Sequence, residues 1–300
     1  MTRSSNDNLI IPNNGGGRIV EVAPGGTEIV RSYLTQARGK NPAFPHGHRV
    51  SGDGKYAVTP NSFEDTVSIF NLETGEMRKY EAGAHPVAIS ITNDGKRAYN
   101  ANLWAHTMDC ISIEEPACPT PSGEVRDRYT IDWRENYDPV TGESSGPFGL
   151  VPIQTPVSPD DSYMLTAGTV SANIVVTDLD TNKVVKTLPA CPGVHGINFG
   201  AKKGGGYGYV TNKSCNKMIV VDGDPNGDGD PSDATIVGEV LTNAEQAIQM
   251  DAQPTGFYGQ GGNGIFIYPI AYNGWVQKMP EAWKAQLTCA QLNPRQPSAC

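Results

Sequence analysis

Apolar residues along this chain come in short runs, such as Val67-Ser68-Ile69-Phe70, Ile174-Val175-Val176-Thr177 and Met218-Ile219-Val220-Val221. Runs this short, rich in β-branched residues and bounded by Asp, Gly and Asn, predict strands. The 3.6-residue spacing of a helical solenoid is absent. A recurring phrase orders the runs: a turn such as Asp-Gly-Lys, then a strand ending in Asn or Gly. It reads Asp53-Gly54-Lys55-Tyr56-Ala57-Val58-Thr59-Pro60-Asn61, then Asp94-Gly95-Lys96-Arg97-Ala98-Tyr99-Asn100-Ala101-Asn102. Further copies are Asp160 to Gly168 and Gly206 to Asn212, with Asn8 to Asn13 lacking the turn and Gly264 to Pro269 a weaker match.

Around each phrase lie three more strands. An inner one precedes it (Pro86 to Ile91, or Gly196 to Phe199), and two follow, as in Ile174 to Thr177 and Val184 to Leu188. Four short strands per repeat, spaced roughly 41 to 48 residues apart except at insertions, describe the blade of a β-propeller. The fold expected is therefore all-β: a propeller of about six to seven four-stranded blades, either incomplete or closed by the C-terminal part. The first blade begins at its second strand, so its innermost strand is expected to be missing unless Asp251 to Gly259 supplies it. Glu114 to Gly149 reads as an insertion carrying one outer strand, Val125 to Trp133. The propeller is assigned residues 1–275. The tail, 276–300, is assigned a short helix from Glu281 to Leu287 and a disulfide.

Composition agrees with many strands and tight turns: 34 Gly and 23 Pro, with 38% hydrophobic and only 18% charged residues. A net charge of −9 excludes the basic stripe that phosphate backbones require, so no nucleic-acid partner is expected. No apolar stretch approaches the roughly 18 residues of a membrane span. The six cysteines fall into neighbouring pairs, 110–118, 191–215 and 289–300, without a CxxC pattern. Disulfides persist in oxidising compartments, so a secreted, periplasmic or cell-surface location is expected. Met1 to Asn8 holds no apolar signal core, so an exported chain has lost its signal or belongs to a longer precursor.

The phrase Tyr209-Val210-Thr211-Asn212, together with the Asp-Gly-Lys turns, resembles the YVTN-repeat β-propellers, relatives of lactonase-like and nitrite-reductase-type propellers. The resemblance covers roughly residues 8 to 270. It implies architecture and leaves function open, because these folds host unrelated chemistries.

Blade topology assigns the histidines to a face. Strands alternate in direction, so loops entering the inner strand share a face with loops between the second and third strands. His46 and His48 begin the second inner strand, His85 precedes the third, and His195 begins the fifth. His106 lies in a loop between second and third strands. All five belong to one face. Several imidazoles without thiolate ligands favour copper or another transition metal. The competing readings are separate loop histidines bonded to backbone carbonyls, or an organic-ligand or general-base role. His46 and His195, each followed by Gly, look like equivalent positions in two blades.

On the opposite face, Asp222, Asp224, Asn226, Asp228, Asp230 and Asp233 stand at positions 1, 3, 5, 7, 9 and 12 of a loop with Gly227 at position 6. That is calcium-loop spacing, with Asp in place of the usual final Glu and no flanking helices. A solvated acidic loop is the alternative. Lys202-Lys203-Gly204-Gly205-Gly206 lacks the context of a phosphate loop. Trp104 and Tyr272 are aromatic loop residues suited to ligand stacking.

Three functions are expected in order. The first is a redox or metal-handling propeller with copper on the histidine face. In general plan, without matching motifs, it resembles the copper-cluster domain of nitrous oxide reductase and the copper-dependent methanethiol oxidases. The second is a non-catalytic surface or scaffold propeller, stabilised by calcium, that binds a protein partner or self-assembles. The third is a lactonase-like hydrolase, disfavoured because no paired acids stand at strand starts.

Overall fold

The computed structural model describes residues 2–35, 43–138, 140–144, 149–202, 205–212 and 217–241, together with Glu281 and Ala285. The chain is all-β, and these residues form five four-stranded antiparallel sheets, each a simple meander. Blade I comprises β1 (Thr2–Arg3), β2 (Leu9–Asn13), β3 (Arg18–Val22) and β4 (Ile29–Leu34). Blade II comprises β5 (Arg49–Val50), β6 (Tyr56–Asn61), β7 (Thr66–Asn71) and β8 (Met77–Glu81). Blade III has β9 (Pro86–Ile91), β10 (Arg97–Asn102) and β11 (Thr107–Ser112); a hairpin of β12 (Cys118–Pro119) and β13 (Val125–Arg126) follows, before the outer strand β14 (Arg128–Ile131). Blade IV is β15 (Pro152–Ile153), β16 (Tyr163–Gly168), β17 (Asn173–Asp178) and β18 (Lys183–Pro189). Blade V is β19 (Val194–Lys202), β20 (Gly205–Asn212), β21 (Lys217–Asp222) and β22 (Thr235–Leu241).

Two expectations change. Blade I has its innermost strand: Thr2 and Arg3 pair with Ile10 and Leu9. Two polar residues carry no apolar pattern, yet backbone pairing alone suffices to make a strand. The insertion holds more than one outer strand, because Val125–Arg126 folds back on Cys118–Pro119 and only Arg128–Ile131 joins β11. The Cys110–Cys118 disulfide fastens this hairpin to β11, with Cα atoms 5.8 Å apart. Cys191 is also disulfide-bonded. Cys215, Cys289 and Cys300, the strand at Gly264 to Pro269 and the closing segment at Asp251 to Gly259 lie outside the described residues. So does the tail, apart from a helical bond from the Ala285 N–H to the Glu281 carbonyl.

The core is divided between neighbouring blades rather than held inside any one of them. Ile10, Ile19 and Tyr33 of blade I pack with Ala57 and Phe70 of blade II. The alternate residues of blade II, Val58, Val67 and Ile69, pack with Ile89, Ala98 and Ile111 of blade III. Tyr99, Met108 and Ile131 then meet Met164 and Val175 of blade IV, whose Leu165, Ile174 and Val176 meet Ile197, Phe199 and Val210 of blade V. Ala57 pairs with Phe70 and Val58 with Ile69, so directly paired residues share a face. Period-two alternation thus sends successive residues to different neighbours, and both sets are apolar. Each fully buried Val, Ile or Phe contributes about 1.5–3 kcal/mol.

The turn before the second strand is built from a hydroxyl two residues ahead of Asp. Ser51, Thr92 and Ser158 each donate to the carboxylate of Asp53, Asp94 and Asp160 at 2.6 Å. The same hydroxyls accept the N–H of Tyr56, Arg97 and Tyr163, which starts the strand. Burial opposes ionisation of these carboxyls, but the hydroxyl and backbone donors win and hold all three below the usual range. The residue after Asp has positive φ: Gly54, Gly95 and Asp161. At Gly54 a Cβ would meet the Ser5 nitrogen at 2.3 Å, so glycine allows blade I to touch this turn. Asp161 instead uses its carboxylate to accept from the Asn93 and Asp94 N–H groups, tying blade IV to blade III. Thr92→Val, which removes a donor and an acceptor from one such turn, is expected to cost about 1 kcal/mol in urea denaturation.

Candidate functional site

The Thr of the repeated phrase sets the backbone that carries two of the histidines. Thr59 Oγ1, at no exposure, donates to the Gly47 carbonyl at 2.6 Å. Thr211 Oγ1 accepts the Gly196 N–H at 3.0 Å and donates to the Gly196 carbonyl at 3.2 Å. His46 and His195 each precede one of these glycines, so they occupy corresponding places in blades II and V. Gly47 suits this close approach: a Cβ would lie 3.0 Å from the Val87 carbonyl, tighter than side chains ordinarily sit. That carbonyl also receives His46 Nδ1 at 2.8 Å. A carbonyl only accepts, so Nδ1 carries a proton and is the donor.

His85 and His106 are held differently, each at positive φ, 54° and 55°. The His85 N–H donates to Asp65 Oδ1 at 2.8 Å, and the His106 N–H to the Asn102 carbonyl at 3.0 Å. His106 Nδ1 accepts the Val151 N–H at 3.1 Å, a link from blade III to blade IV.

His46, His48, His85 and His195 line one cavity of about 230 Å³, together with Arg49, Gln154 and apolar residues from blades II, III and IV. His106 is not among its lining residues. Among the described residues no three imidazole nitrogens lie within 4.8 Å of one another, so the four rings surround a space rather than meet at a point. His48 is the buried member, 5% exposed, and neither of its ring nitrogens makes a hydrogen bond. Burial, helped by the nearby Arg49 charge and weakly opposed by the Ile10 backbone, drives its pKa down to about 3. It is therefore a neutral imidazole at pH 7.

Arg49 and Gln154 were not singled out in the sequence. Arg49 sits directly beside the histidine motif, as the basic residue of Pro45-His46-Gly47-His48-Arg49. Gln154, 5% exposed at φ 60°, carries no local signal. Rings extend the site outward. Phe44 stacks on Phe63 at 4.6 Å, Phe63 meets His85 at 5.9 Å, and His85 meets Trp104 at 5.7 Å.

The acidic loop joins β21 to β22 on the opposite face. Asp224, Asp228 and Asp233 bring carboxylate oxygens within 4.8 Å of one another. The other expected ligands are used differently. Asp230 caps the 3-10 turn Pro231–Asp233 by accepting from the Ser232 N–H, and Asn226 Nδ2 donates to Asp228. Asp222 ends β21 and is buried. Asp224 accepts the N–H groups of Gly227, Asp228 and Gly229, which winds the loop around it. Burial and then the charges of Asp228, Asp224 and Asp230 raise the pKa of Asp233.

Solved β-propellers share this architecture. Virginiamycin B lyase from Staphylococcus aureus is 12% identical with a TM-score of 0.54, over 80% of this chain and 68% of that one. The Cps50 (Swd1) β-propeller domain from Myceliophteria thermophila is 14% identical with a TM-score of 0.58, over 80% and 70%. A putative 6-phosphogluconolactonase from Bacteroides fragilis is 16% identical with a TM-score of 0.54, over 78% and 68%. No protein-family model and no curated protein matches the sequence. At these identities the likeness establishes the fold, and the chain is a β-propeller.

The neutral His48 gives stability a defined pH dependence. Its folded pKa lies below the ordinary 6.5, so as pH falls the unfolded chain takes up the proton first. Stability from this residue is complete above about pH 6.5 and is lost progressively toward pH 3. Between pH 7.5 and pH 5 the loss is expected to be about 2 kcal/mol by urea denaturation of metal-free protein, and absent from the difference measured for His48→Leu.

Proposed function

We propose that this propeller holds a transition metal, copper by preference, in the histidine pocket and serves a redox or metal-handling role outside the cytoplasm. The observation that carries the reading is the gathering of four imidazoles around one cavity, with the nitrogens of His48 buried and unbonded. Imidazole donors without thiolate or carboxylate in the described lining suit copper better than calcium or magnesium. The Val87 carbonyl supports the reading by orienting His46 as metal-bound histidines are oriented, with the proton on one nitrogen and the other nitrogen basic. Coordination requires the rings to converge from their present spacing; half-buried His46, His85 and His195 are the members that move, and His48 is the fixed one. His106, with Nδ1 engaged by Val151, takes a positioning role between blades III and IV.

The Cys110–Cys118 disulfide supports an extracytoplasmic setting, periplasmic, secreted or at the cell surface. Kinship with the YVTN-repeat propellers rests on Tyr209 to Asn212 and the Asp-centred turns. Calcium belongs to this reading as a structural cation of the acidic loop, where Asp224, Asp228 and Asp233 converge and where burial, then the charges of the neighbouring carboxylates, raise the pKa of Asp233. A second reading, a scaffold that self-assembles or binds a protein, has Ile29 and Val30 on outer strand β4 in its favour, 66% and 48% exposed. Lactonase-like hydrolysis ranks below both, because the described cavity lining offers no carboxylate.

Elemental analysis after copper loading and extensive dialysis tests the metal. About one equivalent of copper is expected, falling to background in a His46→Ala/His195→Ala double variant; equal copper in both proteins overturns the reading. In the same preparations, millimolar calcium is expected to raise the melting temperature, and Asp224→Asn/Asp228→Asn to abolish that rise while leaving copper content unchanged. Copper-dependent oxidase or reductase activity separates a redox role from storage.

A further inference from the structure

The histidine pocket contains a charge that nothing described around it balances. Arg49 is half-buried and lines the cavity, and its guanidinium makes one hydrogen bond, to the His48 carbonyl at 2.9 Å. Among the described residues no carboxylate lies within ion-pair distance of it, and the described lining contains no acid. A guanidinium keeps its charge at neutral pH. In a chain with a net charge of −9, this cation lies in a concave site without a counter-charge among the described residues. Low-dielectric walls strengthen the field of such a charge. A metal ion in the same pocket adds positive charge and deepens the imbalance.

The second observation concerns the rim. Phe63 and Trp104 are 64% and 61% exposed, among the largest apolar side chains left in solvent. They belong to the ladder Phe44, Phe63, His85, Trp104, whose His85 also lines the cavity. Neither ring lines the cavity itself; both lie against His85, which does, beside a site that contains a half-buried cation. The volume, about 230 Å³, falls below the roughly 300–1,000 Å³ typical of sites for drug-sized ligands, so the occupant is small.

We infer that the pocket binds a small organic carboxylate, its anionic group paired with Arg49 and its apolar body laid against Phe63 and Trp104. This deepens the metal reading by naming the class of ligand the same site takes. A carboxylate matches the planar guanidinium with two parallel bonds, a geometry unavailable to a neutral molecule. Trp104 and Phe63 supply stacking for the remainder of the molecule. An inorganic anion shares the Arg49 contact and lacks the second one.

Calorimetric titration of the full chain, metal-free and copper-loaded, with benzoate, its uncharged counterpart benzamide, and sulfate tests the assignment. Benzoate is expected to saturate one site, with benzamide and sulfate each weaker by about tenfold or more. Arg49→Gln is expected to weaken benzoate by about thirtyfold. Trp104→Ala is expected to weaken benzoate several-fold and leave sulfate unchanged. Equal binding of benzoate and benzamide overturns the role of Arg49 without any variant, so the inference remains exposed even if Arg49→Gln does not fold. Equal binding of benzoate and sulfate, or no saturable benzoate binding, overturns it as well. Copper content is measured separately. Arg49-dependent benzoate binding without retained copper removes the metal reading alone, whereas retained copper without benzoate binding removes this inference alone.

Discussion

The middle blades of this propeller, II, III and IV, are buried on both of their faces, and most of what is distinctive in the sequence follows from that constraint. An isolated four-stranded meander with two apolar faces would expose both; here each face of these three is covered by a neighbouring blade. Blade II shows the division most plainly, with Phe70 turned toward blade I and Ile69 toward blade III. No strand in such a sheet can relax by turning a polar edge to water. Polar residues within the sheets must therefore find partners inside it. Asn102, at no exposure, donates to Thr107 and Asp109, while Asp109 also receives Arg128 and Thr130. Asn61 does the equivalent in blade II, donating to Thr66 and Ser68. The Asn that closes the repeated phrase is thus a hairpin clasp forced by burial.

The same constraint connects the repeat to the site. Thr59, two residues before Asn61, and Thr211, next to Asn212, satisfy their hydroxyls on Gly47, just ahead of the inner strand of blade II, and on Gly196, within that of blade V. The glycine admits the close approach, and the histidine preceding it is carried to the rim. A structural bond in the sheet therefore determines where His46 and His195 stand. His85 and His106 reach the same region through loops at positive φ, which owe their shape to local capping by Asp65 and Asn102. Two equivalent histidines come from the repeat and the others are additions to it.

The fold was largely legible because strand pattern, turn chemistry and period all pointed to one architecture. Strand alternation was enough to gather His46, His48, His85 and His195 on one side, since topology alone decides which loops share a face. What it did not resolve was distance: face assignment cannot separate His106, which bonds to Val151, from the four that line the cavity. Thr2–Arg3 was missed because its pairing is purely backbone. The six-ligand acidic loop read as one set, yet backbone N–H groups compete for its carboxylates, and three of its members converge while Asp230 serves as a cap. Arg49 was overlooked for a different reason. An arginine in sequence gives no sign of whether an acid will reach it, and that is decided by the blades on either side.

The two ends of the propeller consequently carry opposite electrostatic problems. At the β21–β22 loop, burial and then the crowding of carboxylates raise the pKa of Asp233, a repulsion that a cation would relieve. At the histidine face, a guanidinium lies among imidazoles with no described acid to meet it. His48, kept neutral by burial, can donate a lone pair without adding charge of its own beside the arginine. A cation held by those rings beside Arg49 would suffer repulsion in a site of low dielectric unless an anion entered with it. Metal and anion answer two features of one pocket: imidazole chemistry favours the first, and a guanidinium with no described acid beside it favours the second.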